Sequence, residues 1–217
     1  MATSNRIRAT KAPALPFAPV QYAQKYQDDF ANILRLYFTQ LDSALAALLD
    51  TRGGASLSLP YGSFADTTDQ TTTANTATVM TFDTTDFANG VSIVTSGGKA
   101  SRFTVAVAGI YNFQWSGQFQ NTDSQLHDVS IWVRKNGTDV VGSTGFVSVP
   151  NSHGGIDGHI ITGWNFFFSL NAGDYIELWW STTNAAVTIQ AYPVGTSPTR
   201  PSTSSLVATM AFVSALP

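Results

Sequence analysis

Two short acidic segments contain the residues of this sequence whose spacing is best suited to metal chemistry. Asp66 and Asp69 enclose two threonines, and Asp83 and Asp86 enclose two more, so the pattern Asp-Thr-Thr-Asp occurs twice. Ca²⁺ takes about six to eight oxygen ligands, and carboxylates are common among them. Neither segment has the full Asp-x-Asp-x-Asp-Gly ligand pattern. We therefore interpret both as solvated loop tips and keep Ca²⁺ binding by these four aspartates as the alternative.

The three histidines, His127, His153 and His159, do not form a metal-binding or catalytic motif. His153 and His159 flank a Gly-Gly-Ile-Asp-Gly segment, which favours a glycine-rich turn with exposed imidazoles over a metal or ligand loop. The chain has no cysteine, no Gly-x-Ser-x-Gly nucleophile elbow and no glycine-rich phosphate loop. No pair of carboxylates has the pattern of a glycosidase cleft. The sequence therefore predicts a protein that is not an enzyme and holds no cofactor.

Charge and hydropathy argue against two further classes of function. The net charge is −3 and only 12% of the residues are charged, whereas a protein that binds nucleic acid by neutralising phosphates needs a broad Lys and Arg surface. No apolar run approaches the roughly 20 residues that span a bilayer, so we expect no membrane insertion. The N-terminus lacks the basic-then-apolar order of a signal peptide, so we expect no export by that route.

The first 23 residues form a proline-rich arm. Proline recurs at every third position, at Pro13, Pro16 and Pro19. Each ring holds the preceding residue in extended geometry, so we expect a polyproline-like conformation. Leu15 and Phe17 stand between the prolines, and a solvated linker has no use for them. We predict an arm that anchors the chain in a groove of a partner, with a disordered tail as the alternative.

One helix is predicted, at residues 24–52. The stretch from Gln24 to Asp50 contains no glycine or proline, and Arg52-Gly53-Gly54 ends it with a cation and a glycine stop. Apolar residues follow at alternating spacings of four and three, at Phe30, Leu34, Tyr37, Leu41, Ala44 and Leu48. This spacing is typical of a coiled-coil seam. We predict a short parallel coiled coil on a three-fold axis, a trimer stem, and the alternative is a helix packed on its own domain.

The rest of the chain, residues 55–217, has the pattern of an all-β domain. β-Branched and aromatic clusters recur at short spacing between Gly, Asn, Asp and Pro turns, with no intervening helix. The predicted strands are Ser56–Leu59, Thr76–Phe82, Val91–Val94, Arg102–Val107, Gly109–Asn121, Val129–Arg134, Thr138–Ser148, Ile156–Leu170, Asp174–Ser181, Ala186–Tyr192 and Leu206–Ser214. Asn136-Gly137 is the clearest hairpin turn, because both residues tolerate positive φ.

Three ordered motifs carry a family resemblance. They are Phe103-x-Val105-x-x-x-Gly109-x-Tyr111-x-Phe113, then Val133-Arg134-Lys135-Asn136-Gly137, then Leu170-x-x-Gly173-Asp174-x-Ile176-x-Leu178. Their order and spacing resemble the C1q/TNF-like jelly roll over residues 57–215. The resemblance implies an antiparallel jelly-roll sandwich that assembles as a compact homotrimer. It also implies that the motif residues are structural and that aromatic side chains bury the three-fold interface.

Surplus aromatic side chains favour an oligomer on separate grounds. Trp179 and Trp180 are adjacent, so in a strand they face opposite sides and only one can enter the domain core. The same holds for Phe167 against its neighbours. The candidates for a subunit interface are Trp115, Trp132, Trp164, Phe166, Phe167, Phe168, Trp179 and Trp180. Apolar surface that the domain cannot bury itself must be covered elsewhere.

The front half is similar to the N-termini of small virion proteins of tailed bacteriophages. There, an arm and a helix precede a displayed β head, as Tyr26, Phe30, Ile33–Phe38 and Gln40-Leu41-Asp42 do here. We therefore expect a trimeric virion protein, a short fibre or a capsid decoration, held to other virion proteins through residues 1–50. Virion proteins leave the cell by lysis and need no signal peptide.

Two other functions are alternatives to a virion protein. A module that binds a host receptor or glycan would use aromatic and Asp/Asn loops, such as Phe119–Leu126 and Val149–Gly158. This function is compatible with a virion protein. A secreted signalling ligand of the C1q type is disfavoured, because the signal peptide, collagen repeat and cysteines are missing.

Overall fold

The computed structural model describes residues 12–17, 19–49 and 59–216. The chain divides by its internal contacts into two units, residues 1–58 and residues 59–217, and each is described by itself. The predicted strand Ser56–Leu59 lies almost wholly outside the described residues, as do Asp50 to Gly54, where the helix was predicted to end.

In the first unit, helix α1 extends from Gln24 to Leu49. The rings of Tyr26 and Phe30, one turn apart, stack with centroids 6.1 Å apart, as expected for an i,i+4 aromatic pair. The seam side chains Phe30, Leu34 and Tyr37 are half-buried. Among the described residues no helix combines the length and apolarity that crossing a bilayer requires.

Among the described residues, one side-chain hydrogen bond joins the arm to α1. Tyr26 Oη donates to the carbonyl oxygen of Pro16 at 3.3 Å. Phe17, the next residue of the arm, is 99% exposed. The contact therefore ties the arm to the start of the helix while leaving the largest apolar side chain of the arm uncovered.

The second unit consists of strands and their connections. In chain order the strands are β1 (Tyr61–Asp66), β2 (Thr78–Val79), β3 (Thr84–Asn89), β4 (Val91–Ser96), β5 (Lys99–Val105), β6 (Gly109–Asn121), β7 (His127–Lys135), β8 (Thr138–Asp139), β9 (Gly145–Val149), β10 (Gly158–Leu170), β11 (Tyr175–Thr182), β12 (Val187–Ile189), β13 (Gly195–Thr196), β14 (Thr199–Arg200) and β15 (Leu206–Ser214).

Two antiparallel sheets contain all of these strands except the hairpin β13–β14. Sheet I has the order β10-β6-β15-β1-β3, with β12 also paired to β6. Sheet II has the order β4-β5-β11-β7-β8, with β2 paired to β11 and β9 to β7. The predicted fold class is confirmed at this level: a mainly β, antiparallel sandwich preceded by a helix.

The core of the second unit is an aromatic cluster between the two sheets. Phe103 of sheet II is in edge contact with Phe113 and Phe64 of sheet I, with ring centroids 5.0 and 5.4 Å apart. Phe119 and Trp180 make a similar contact across the sandwich at 5.9 Å. All five rings are fully buried. Each ring removes about 150–250 Å² from water. The cluster therefore accounts for much of the stabilisation of the second unit, which we call the head.

The head has two distinct ends. The amide of Phe212, near the end of β15, donates to the carbonyl oxygen of Pro60, just before β1, at 2.9 Å. The chain therefore enters and leaves the head at one end, which we call the basal end. The opposite, distal end is where Asp66 pairs with Leu206 and Gly158 pairs with Asn121.

The strand predictions failed mainly where side chains are small and polar. Gly109–Asn121 and Leu206–Ser214 match β6 and β15 residue for residue. By contrast, β1 and β3 were not predicted, most of Thr76–Phe82 is not strand, and Thr138–Ser148 is interrupted between β8 and β9. Both missed strands are rich in Thr, Asp, Gly, Ser and Asn, which have low intrinsic β-propensity except for Thr. Pairing with a neighbouring strand decides their conformation.

Candidate functional surfaces

The outward face of sheet I is the first candidate surface of the head. The strand β6 alternates strictly, with odd-numbered residues buried in the core and even-numbered residues facing outward. The registers of β10 and β15 against β6 extend this alternation across the sheet. The outward residues of the three strands are Ile110, Asn112, Gln114, Ser116, Gln118, Gln120, His159, Ile161, Gly163, Asn165, Phe167, Ser169, Val207, Thr209 and Ala211.

None of these outward positions carries Asp, Glu, Lys or Arg, and we call this surface the uncharged face. Large apolar side chains on it are exposed, with Ile161 at 71% and Phe167 at 62%. At the other edge of the sheet, Tyr61 of β1 and Phe87 of β3 make an edge contact at 6.0 Å and are also exposed. An exposed apolar surface without charges is typical of a protein–protein contact.

The outward face of sheet II has the opposite character. Arg102 Nε contacts Glu177 Oε1 at 3.2 Å, and the Arg102 guanidinium lies 4.2 Å from the ring centroid of Tyr175. Beside it, the Arg134 guanidinium lies 3.8 Å from the centroid of the Trp179 ring. Both arginine side chains therefore have partners within sheet II. The central strands of sheet II thus present paired charges to solvent, whereas Phe146 of β9, on the same face, is 77% exposed.

The adjacent tryptophans of β11 face opposite sides of sheet II. Trp180 is fully buried in the core and Trp179 faces outward, as their adjacency requires. The Arg134 guanidinium of the same sheet lies over the Trp179 ring, and burial of this ring by another subunit stays a prediction. Trp132 is satisfied in the same way, since its Nε1 donates to Asp139 Oδ1 at 2.9 Å. Trp115 and Phe168 are core residues, whereas Phe167 remains exposed.

The candidate Ca²⁺ aspartates are not a pair of loop tips. Asp66 is 1% exposed at the end of β1, so its assignment to a solvated loop tip is wrong. Its Oδ1 accepts from the Thr68 amide at 2.9 Å and from Ser205 Oγ at 3.1 Å. A buried carboxylate requires such partners, and here they join the two strands that meet at the distal end.

The other three candidate aspartates have separate partners. Asp83 accepts from the Thr67 amide and hydroxyl, the latter at 2.6 Å. Burial by itself raises the pKa of Asp83, but hydrogen bonds from Thr67 and Thr84 outweigh it and hold the pKa below its usual value. Asp69 accepts from the Ala191 amide, and Asp86 from Ser63 Oγ. Within the described part of the chain, no three His, Cys, Asp or Glu side chains converge on a common point.

The three histidines lie at the distal end in different surroundings. His127 Nε2 is 2.7 Å from Asp123 Oδ2, and this hydrogen bond is the main reason why the pKa of Asp123 lies below its usual value. His153 is exposed, and its backbone pairs with Ile156 in a tight turn, as the glycine-rich segment predicts. His159 Nδ1 is 3.2 Å from Tyr192 Oη.

A groove begins at this last contact, and we call it the distal groove. It has a volume of about 630 Å³ and is lined by Gln118, His159, Ile160, Ile161, Tyr192, Arg200 and Thr203. Two adjoining depressions of about 430 and 510 Å³ share Thr203 with it. The segment from Ala191 to Ser205 forms the wall that rises over sheet I. The sequence predictions missed this groove, because Tyr192 and Arg200 lie far from Gln118 along the chain.

Burial and charge keep the Tyr192 phenol protonated. Burial raises the pKa of Tyr192, and the nearby carboxylates of Asp157 and Asp69 raise it further, while Arg200 acts in the opposite direction. The phenol is therefore a neutral hydrogen-bonding group at physiological pH. Its ring is held in edge contact with the His159 imidazole at 5.8 Å.

The loops predicted to bind sugars are only partly available. Phe119 is fully buried against Trp180, so it cannot stack on a ligand. Asp123 is occupied by His127 and Asn184. Leu126 and Ile156 are exposed, but they are aliphatic.

The predicted stem and arm residues lie where the helix and arm place them. Phe30, Leu34, Tyr37 and Leu41 are half-buried along one stripe of α1, and Leu48 is 40% exposed. In the arm, Leu15 and Phe17 are exposed and Pro16 accepts the hydrogen bond from Tyr26. The remaining arm candidates, Pro13 and Pro19, have no regular secondary structure.

Comparison with protein-family models finds no match, and no curated protein is significantly similar to the chain.

Proposed function

We propose that this protein is a structural component of a bacteriophage virion. It is a homotrimer that displays its β head as a short fibre or a capsid decoration, anchored through residues 1–50. The uncharged face of sheet I is the observation that carries the proposal. Phe167 is exposed on this face, and Tyr61 and Phe87 are exposed at the other edge of the same sheet, so these apolar side chains need a partner. A second and third copy of the chain can supply it.

The strand order supports a trimer of the C1q/TNF-like type. Sheet I contains β6, β10 and β15, and these carry the Gly109-x-Tyr111-x-Phe113 motif and the closing strand of that resemblance. In a ring closed by three copies, one patch of each subunit contacts a different patch of the next subunit. The pair Tyr61–Phe87 lies on one edge of sheet I, and Phe167 lies on the strand at the other edge. We propose that these two patches meet between neighbouring subunits.

A charge placed in the contact should separate the subunits. We expect the full chain to sediment as a trimer at micromolar concentration, and we expect Phe167→Asp to shift it to the monomer by desolvating a carboxylate in the contact. Sedimentation-velocity centrifugation measures both. Leu126→Asp is the control, because Leu126 is similarly exposed on a distal loop outside the uncharged face. A monomeric wild-type chain, or a Phe167→Asp trimer as tight as the wild type, would contradict the proposal.

The place of the protein in a virion needs an independent test. A density map of the intact particle should contain three-fold knobs into which the sandwich of residues 59–217 fits. Each knob should be joined to the shell or tail by a stalk. A particle that contains the chain but has no such feature would rule out the displayed trimer.

Receptor or glycan binding is the second candidate function, and the distal groove is the observation that favours it. The groove lies at the end of the head opposite to the one where the chain enters from the anchoring segment. The two functions are compatible, because a displayed head can also adhere.

A further inference from the structure

The distal groove has the size and frame of a small-ligand site. Its volume of about 630 Å³ falls in the range of roughly 300–1,000 Å³ that is usual for such sites. Gln118 and His159 project from β6 and β10, which pair along their full length. The opposite wall is fixed by two backbone hydrogen bonds between Tyr192 and Thr203, of 3.0 and 2.8 Å. Backbone hydrogen bonds therefore hold Gln118 and His159 on one side of the groove and Tyr192 and Thr203 on the other.

Three polar side chains of the groove have no partner among the residues that the structure describes. Among the described residues, the amide of Gln118, the guanidinium of Arg200 and the hydroxyl of Thr203 make no side-chain hydrogen bond or ion pair. Arg200 differs in this from Arg102 and Arg134, which both pair with a carboxylate. Donors and acceptors of this kind are available to a ligand that brings complementary groups.

Tyr192 and His159 add an aromatic and polar corner. When Tyr192 Oη donates to His159 Nδ1, the neutral imidazole carries its proton on Nε2, which is free to donate. Ile161, beside them, is 71% exposed and gives the floor an apolar patch. The groove thus combines aromatic and aliphatic surface with groups that both donate and accept.

The charges around the groove do not favour an anion. Arg200 is the one cation in the lining, whereas Asp157 and Asp69 both lie near enough to act on Tyr192. A ligand carboxylate or phosphate would be attracted by one charge and repelled by two. A neutral ligand with many hydroxyls meets no such opposition, because each hydroxyl both donates and accepts.

We infer that the distal groove binds a neutral saccharide, one or two hexose or N-acetylhexosamine units of a surface glycan. An apolar sugar face lies on Tyr192 and Ile161. Gln118, Arg200, Thr203 and His159 take the hydroxyls. This inference rests on the proposed function in one respect, since the trimer contact must leave the distal end of the uncharged face open.

The test is an array printed with neutral hexose and N-acetylhexosamine oligosaccharides next to sialylated and uronate-bearing ones. The full-length chain is applied, and the best glycan is then titrated calorimetrically. We expect binding to neutral glycans that weakens at least tenfold in Gln118→Ala and in Arg200→Ala. Gln125→Ala is the matched control, because Gln125 is exposed at the distal end and does not line the groove. Its binding should equal that of the wild type, and all variants should keep the wild-type melting temperature.

Three results would overturn the assignment. They are no binding to any printed glycan, binding confined to the acidic glycans, and binding that survives both groove substitutions. Sedimentation of the same samples separates this outcome from failure of the proposed function. A trimer without glycan binding rejects the groove site alone, and a monomer that binds glycans rejects the trimer alone.

Discussion

Glu177, the single glutamate of the chain, shows how one side chain organises the outward face of sheet II. It is 6% exposed and accepts from Ser101 Oγ at 3.1 Å and Arg102 Nε at 3.2 Å. Trp179 Nε1 also points to it at 3.4 Å. Three donors from two strands therefore converge on one carboxylate. Loss of the Glu177 carboxylate would leave the Arg102 charge and the other two donors without their acceptor.

Removing this carboxylate should destabilise the head considerably. We expect Glu177→Ala to lower the free energy of unfolding by about 2 kcal/mol, less than for a fully buried pair because the Arg102 side chain is 33% exposed. Urea unfolding followed by circular dichroism measures the change. Asp86→Ala is the control, because Asp86 is exposed and bonds only Ser63 among the described residues, so its loss should cost less than about 1 kcal/mol. Equal losses in the two variants would show that Glu177 does not have this organising role.

At the scale of elements, helix α1 has an apolar stripe whose packing partner is not yet known. Its seam residues Leu34, Tyr37 and Leu41 lie on one stripe, and they are only half-buried. A helix of 26 residues with fewer than four heptads is marginal as an isolated coiled coil. If α1 is the trimer stem, the stem and the head must stabilise each other.

Charges in the seam should weaken the trimer without unfolding the head. We expect the double variant Leu34→Lys/Leu41→Lys to raise the dissociation constant of the trimer by more than tenfold, because three copies would bring six ammonium groups to one axis. Sedimentation equilibrium measures this constant. Gln40→Lys adds a charge on the exposed side of the helix and should leave it within about twofold. If the double variant associates like the wild type, α1 is not the stem.

At the scale of the whole molecule, aspartates contribute to stability through hydrogen bonds to their charged form. The pKa of Asp139 is lowered chiefly by the hydrogen bond from Arg134. That of Asp174 is lowered chiefly by the Asn171 amide, with Asn136 and Lys135 adding to it. Asp83 and Asp123 are shifted in the same direction. All four carboxylates are therefore more acidic in the folded protein than in the unfolded chain.

This direction fixes the pH dependence of stability. Between the folded and the unfolded pKa the unfolded chain binds more protons, so stability rises with pH in that window. We expect the contribution of these aspartates to the free energy of unfolding to be complete above about pH 4, the pKa of Asp in the unfolded chain. It should be lost as the pH falls through their pKa values in the folded protein. Urea unfolding between about pH 2 and 6, a range that brackets the pKa values of Asp in the folded and unfolded states, measures stability against pH. Asp174→Asn should flatten it, whereas a profile that rises toward low pH would contradict the assignment.

The sequence by itself determined those elements whose pattern is local. The period of two in β6 and the apolar spacing of α1 depend on neighbouring residues, so both limits of β6 and the first residue of α1 could be predicted. The motifs around Gly109 and Gly173 indicated a sandwich for the same reason. In each case propensity, alternation and turn chemistry agree.

Tertiary structure alone decided where distant residues meet. Asp66 looked like a loop residue, and Ser205, 139 positions later, makes it a buried strand end. Pairing of β7 with β11 placed Arg134 over the ring of Trp179, a contact that adjacency with Trp180 could not show. The distal groove joins Gln118, His159 and Tyr192–Thr203 in the same way. Such contacts depend on strand order and register, which arise from burial across the sheets and leave no local trace in the sequence.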